Sequence, residues 1–239
     1  MNTITLKIDD IPNETLSKPE VFIIEILPKD DVDNGRLDGE ILYSQLRLIG
    51  RNPRYIRIND QNEFAAALVI FRQSKYRCLH ISCHGTEDAV LLGTDRCDFS
   101  DFAQLTKDML KSRRVSFSAC KLGNQRIAEA LFAANPGMHS FLAPIDNIEF
   151  GTASVFWSAF FTLVYKDCEK RNEQNVSQQL ILEMTKAIGG ALSVKMLLAQ
   201  ANPKKKMISF FESDNENGTM TDSIPLPHIA ATTSKGAKQ

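Results

Sequence analysis

No apolar run in the sequence is long enough to cross a bilayer. The longest, residues 153–165, is too short and is interrupted by Ser158 and Thr162. Nor is there an excess of charge of one sign. The 28 Lys and Arg residues stand against 29 Asp and Glu, for a formal net charge of -1. That balance argues against direct nucleic-acid binding through a strongly basic face. Residues 1–10 carry neither a basic leader nor an apolar core followed by small residues, so no secretory signal is expected. Cysteine is sparse and odd in number. Cys78, Cys83, Cys97, Cys120 and Cys168 are irregularly spaced and read as reduced thiols of a cytoplasmic protein, not as a disulfide framework. Neither a G-x-x-x-x-G-K-[ST] loop nor a G-x-G-x-x-G turn occurs, which ranks a nucleotide-binding signalling domain low.

What is present suits a globular chain: 43% apolar and 24% charged residues over 239 positions. Residues 21–27 form a continuous apolar run closed by Pro28, as a strand buried on both faces requires. Leu37, Ile41, Leu42, Leu46 and Leu48 then predict a helix, ended by Gly50 and Pro53. Strands are expected at 55–58, 77–83, 115–119 and 140–145, and helices at 64–72, 99–111, 124–134 and 152–165. Residues 86–98 read as a loop containing a short apolar run. Residues 177–200 read as helical, with a break at Gly189-Gly190. Strands alternating with helices predict an α/β fold, a mainly parallel sheet flanked by helices on both faces. The expected layout is an N-terminal extension at 1–19, one domain at 20–202, and a polar, flexible tail at 203–239. Within the tail, residues 207–211 can add an edge strand.

In such a sheet the active cleft lies beyond the carboxyl ends of the strands. Two strands end in reactive residues. One runs through Ser82-Cys83 into His84-Gly85, and the other through Ser118-Ala119 into Cys120. A free thiol is only a few per cent thiolate at neutral pH, so a nucleophilic cysteine needs a base or a positive environment beside it. Cys120 is expected to open a strand-to-helix turn, whose free N–H groups favour an anion. Gly85, lacking a side chain, lets a substrate carbonyl approach the backbone closely. The N–H groups of Gly85 and Cys120 are then candidates for an oxyanion hole.

The blocks Ser82-Cys83-His84-Gly85 and Ser118-Ala119-Cys120-Lys121-Leu122-Gly123 resemble the His-Gly and Ser-Ala-Cys-x-x-Gly blocks of CHAT-domain peptidases. That family belongs with caspases, separases and metacaspases. Ala143-Pro144-Ile145-Asp146, followed by an apolar helix, resembles its next block. The resemblance covers residues 20–200. It implies a caspase–haemoglobinase fold and a His–Cys dyad without an obligatory third member, with His84 as general base and Cys120 as nucleophile. Gly85 and Cys120 match its oxyanion-hole positions. It further implies cleavage of a partner protein, often within a bacterial antiviral defence or programmed-death module. A separate chain would then act as activator or sensor. The family's metacaspase-like members place an acidic residue two positions before the nucleophile. Here Ser118 stands there, which leaves the substrate-binding role of Ser118 and Asp146 open.

Blander readings stand beside these. His84 alone would suit a structural histidine at a strand end, and Cys120 alone an inert buried thiol. Asp146 can cap the loop before the helix that follows it. Glu87 and Asp88 suit a solvated loop, and Lys204-Lys205-Lys206 a solvated tail segment. His80, Cys83 and His84, with Cys78 or Cys120, suggest a metal site only weakly. Alternation along a strand sends His80 and Cys83 to opposite faces, and the usual second zinc-ligand pair is missing. No metal or cofactor is expected. The functional alternative to a peptidase is a non-catalytic interaction module on the same fold.

Overall fold

The computed structural model describes residues 18–170, 176–213 and 222–226. The expected extension falls almost wholly outside them, as does much of the expected tail. Strand β1 (Lys18–Ile26) opens the chain, and residues 21–26 are all buried, Glu25 included. Two helices follow, the short α1 (Lys29–Asp33) and α2 (Asp38–Leu48). Strand β2 (Arg54–Ile58) leads to α3 (Gln61–Ser74), whose N-terminus is capped by the Asp60 carboxylate accepting from the Asn62 and Glu63 N–H groups. Strand β3 (Tyr76–Ser82) delivers the histidine block. Next come β4 (His84–Gly85), β5 (Ala89–Leu92), β6 (Asp95–Asp98) and α4 (Phe99–Leu105). Strand β7 (Arg114–Ser118) delivers the cysteine block. The chain then forms α5 (Gln125–Ala134), β8 (Ser140–Pro144), α6 (Phe150–Lys170), α7 (Gln178–Leu192), β9 (Met196–Asn202), β10 (Met207–Glu212) and β11 (Asp222–Pro225).

The main sheet has eight strands in the order β11-β10-β9-β8-β7-β3-β1-β2. β2, β1, β3, β7 and β8 are mutually parallel, while β9, β10 and β11 continue antiparallel. The expected class therefore stands: a mainly parallel sheet with helices on both faces. One face packs Phe22, Ile24, Leu79, Ile81 and Phe117 against α3, α4 and α5. The other packs Val21, Ile23, Leu142 and Leu198 against α2, α6 and α7 around Trp157. Burial on both sides is why the central strands read as continuous apolar runs and not as alternating ones. No helix among the described residues is long and apolar enough to cross a membrane.

Three expectations need correction. The helix predicted over 177–200 stops at Leu192, where Ser193 takes a left-handed conformation (φ 55°), and residues 196–202 form strand β9. The tail expected from 203 does not begin there. Strand β10 lies inside the sheet between β9 and β11, with Ile208 and Phe210 fully buried. The loop over 86–98 holds β5 and β6, which with β4 make a separate three-stranded sheet. The order 2-1-3 at one edge of the sheet also matters for the site. The chain leaves β1 to one side for β2 and returns to its other side for β3, so the sheet has a switch point between β1 and β3, the usual place for a ligand cleft.

Candidate active site

The two sequence blocks meet because their strands are neighbours in one register. β3 and β7 pair in parallel with Ser82 opposite Ser118. The Cys83 N–H extends the ladder by donating to the Ser118 carbonyl (3.1 Å). His84 and Cys120 each stand two residues past these serines, just beyond the ends of β3 and β7. Adjacent strands lie about 4.8 Å apart. As paired residues of a parallel ladder the two serines share one face, and the Ser82 hydroxyl donates to the buried Asp38 carboxylate at the start of α2.

Gly85 fits where no other residue does. A Cβ there would sit 2.6 Å from the Cys120 carbonyl oxygen and 2.6 Å from Leu122 Cγ. The Thr86 N–H donates to the Ala89 carbonyl (2.9 Å) and closes the β4–β5 hairpin. Antiparallel ladders alternate, so Gly85, opposite Val90, occupies a non-hydrogen-bonded position and its N–H points away from β5. The Cys120 N–H has no protein acceptor among the described residues. The Gly85 and Cys120 N–H groups thus both lie outside the strand ladders.

The turn after Cys120 is longer than the sequence suggests. Helix α5 begins only at Gln125, capped by Asn124, so Cys120 does not sit at a helix N-terminus. Lys121 takes a left-handed conformation (φ 58°), and its N–H donates to the Asp146 carbonyl (3.1 Å). The Gly123 N–H donates to the Pro144 carbonyl (2.6 Å), and a Cβ on Gly123 would sit 2.5 Å from the Ala143 carbonyl oxygen. The Cys120 turn is therefore laced to the end of β8. The half-buried thiol lies against the backbone of Ile148, whose N–H donates to Sγ (3.4 Å) while the S–H faces its carbonyl (3.6 Å). A local N–H donor replaces the expected helix dipole.

His84 has a partner that the sequence reading missed. Its Nε2 lies 2.6 Å from Oδ2 of Asp31, on α1 at the end of β1. Arg36 Nη1 donates to the other carboxylate oxygen (2.9 Å). Burial pushes the Asp31 carboxyl up, but the hydrogen bonds from His84 and Arg36 outweigh it and hold the group below the usual carboxylate range. The His84 and Phe150 rings form a T-shaped pair with centroids 5.7 Å apart, and the Arg36 guanidinium lies over the Phe150 ring at 5.9 Å. Below the site, Glu25 is fully buried. Burial pushes its carboxyl up to about 7, although the Tyr55 hydroxyl (2.6 Å) and the Gly39 N–H (2.8 Å) donate to it. Burial likewise raises Asp38.

The remaining candidates separate cleanly. Ser118 is buried against Asp38, under the strand tips and away from the open cleft. Asp146 is exposed and borders a cavity of about 210 Å³ with Asn147, Ile148, Glu149 and Lys195. Glu87 and Asp88, read as a solvated loop, border an open cleft of about 370 Å³ with Gly85 and Lys121, which Glu87 and Lys121 span as an ion pair (3.0 Å). His80 is buried, hydrogen-bonded through Nδ1 to Ser116 (2.9 Å) and packed edge-on to Trp157. Cys83 is buried, and burial pushes its thiol well up. Among the described residues no three His, Cys, Asp or Glu side chains are grouped as a metal site.

No family model and no curated protein matches the chain. Among solved structures, the chain is similar to a secreted C11 cysteine protease from Bacteroides thetaiotaomicron, at 12% identity and a TM-score of 0.48, over 78% of this chain and 67% of that one.

Proposed function

We propose that the chain is a cysteine endopeptidase of the caspase-like, CHAT type, with His84 and Cys120 as its dyad. The observation that supports this reading is the shared register of β3 and β7, whose last pair, Ser82 and Ser118, stands two residues before His84 and Cys120. In the proposed reaction, His84 takes the Cys120 proton and the sulfur attacks the scissile carbonyl. The oxyanion is received by the N–H groups of Gly85 and Cys120, each worth about 3 kcal/mol in comparable sites. His84 returns the proton to the leaving amine, and water then hydrolyses the thioester. The Ile148 carbonyl must release the S–H before attack, which supports a requirement for a separate activating or sensor chain. The substrate is a protein, and the setting inferred from the motif resemblance is a bacterial defence or programmed-death module in the cytoplasm.

The test uses a peptide chloromethyl ketone and mass spectrometry of all five thiols. Cys78, Cys83, Cys97 and Cys168 are buried and Cys120 is half-exposed, so preferential labelling of Cys120 alone decides nothing. The informative variant is His84→Ala. A peptidase dyad loses Cys120 labelling by about a hundredfold or more when the base is removed. Equal labelling in His84→Ala and the parent chain rejects the dyad and leaves the interaction module.

A further inference from the structure

We infer that Asp31 is the positioning residue of His84, fixing which ring nitrogen faces the thiol. The inference rests on the peptidase reading above and adds a third member to the pair. An ionised carboxylate can only accept hydrogen bonds, and a neutral imidazole carries one donor and one acceptor nitrogen. Asp31 stays ionised because the Arg36 guanidinium, which is always charged, donates to it. The 2.6 Å contact therefore places the proton on Nε2 and leaves Nδ1 with the free lone pair. The strand order gives the direction. Asp31 follows β1, His84 follows β3 and Cys120 follows β7, and these strands lie side by side in that order. The Asp31 carboxylate thus holds the ring from the β1 side, and the base nitrogen is left for the β7 side, where Cys120 stands. Phe150 closes the cluster. Its ring is flanked by His84 at 5.7 Å and by Arg36 at 5.9 Å, so the imidazole is held at its nitrogen and along its edge. The imidazolium formed by proton transfer also gains a buried counter-charge.

Asp31→Asn makes the discriminating variant, because Arg36 already donates to Oδ1. Asparagine would keep its carbonyl oxygen there and turn its amide N–H₂ towards His84. Nε2 would then have to accept, the ring proton would move to Nδ1, and an N–H would face the thiol. Nitrogen-15 spectra of the full-length chain, with His84 assigned by His84→Ala, are expected to show protonated Nε2 in the parent and protonated Nδ1 in Asp31→Asn. Alkylation of Cys120 by iodoacetamide at neutral pH should fall by about tenfold or more, as the thiolate fraction drops towards a few per cent. A merely structural Asp31 would lower the melting temperature without inverting the tautomer. A parent chain with its proton on Nδ1 overturns the inference with no variant needed. So does an Asp31→Asn chain that alkylates within twofold of the parent. If His84→Ala slows alkylation and Asp31→Asn does not, only the role of Asp31 fails. If neither slows it, the peptidase reading fails as well, and the parent spectrum still decides the contact.

Discussion

Glu25 interrupts an otherwise apolar strand and is fully buried, with Tyr55 and Gly39 donating to its carboxylate and Asp38 as a like-charged neighbour. Its folded pKa of about 7 lies above the ordinary 4.5. Below 4.5 both folded and unfolded chains hold the proton, and above about 7 neither does. Between these values the folded chain binds more proton, so stability falls as pH rises through that window. Glu25→Gln keeps the shape and carries no charge. Denaturant melts at pH 5 and pH 8 are expected to show a smaller loss of stability in Glu25→Gln than in the parent, by on the order of 2–3 kcal/mol. An equal loss in both would place the titration elsewhere. Gly85→Ala tests a second residue. Its methyl would meet the Cys120 carbonyl, a backbone atom that cannot step aside alone. A fall in melting temperature together with loss of Cys120 alkylation is expected, whereas Gly151→Ala, with nothing near its Cβ, should change neither. His84, Gly85 and Cys120 were legible because reactive residue types directly follow apolar strands. Asp31 was not, because it stands among Asp30 and Asp33 in one polar stretch. Burial picks it out, and burial is a property of the folded chain.

The same divide appears among the elements. Strands β1, β3, β7 and β8 carry enough branched and aromatic residues to announce themselves. Strand β9, Met-Leu-Leu-Ala-Gln-Ala-Asn, is built from residues that favour helices. It is a strand because β8 offers it a ladder from Ser140 to Pro144 and because the left-handed Ser193 ends α7 first. Tertiary pairing overrides local preference here. The β4–β5 hairpin was read as a loop because two-residue and four-residue strands leave little periodicity to detect. It is joined to the turn after Cys120 by the Lys121–Glu87 ion pair, whose side chains are 39% and 79% exposed. Pairs this exposed contribute about 0–1 kcal/mol. Lys121→Gln is therefore expected to leave the melting temperature nearly unchanged. A drop equivalent to more than about 2 kcal/mol would mean that the pair, and not the packing of Gly85 on Cys120 and Leu122, fixes the hairpin.

At the scale of the whole molecule, the five parallel strands and their switch point set three strand ends, β1, β3 and β7, side by side. The alternation of strands and helices made that core predictable. Of the antiparallel part only an edge strand at 207–211 was legible, because β10 reaches the sheet through β9, and β9 itself reads as helix. The consequence is testable by truncation. A chain ending at Asn202 follows the domain boundary that composition suggests, yet it removes β10 and β11 from the sheet. It deletes the fully buried Ile208 and Phe210 and leaves the apolar β9 with an open edge. Losing one large aromatic side chain from a core typically costs about 3–5 kcal/mol, a large share of the about 5–15 kcal/mol that holds a domain together. An unpaired apolar edge adds a template for association. The truncated chain is expected to aggregate or to melt far below the full chain in size-exclusion and circular-dichroism measurements. Phe210→Ala in the full chain should lower stability by about 3–5 kcal/mol without aggregation, since the edge stays covered. A truncated chain that stays monomeric with the parent's melting temperature would mean that the sheet ends functionally at β9.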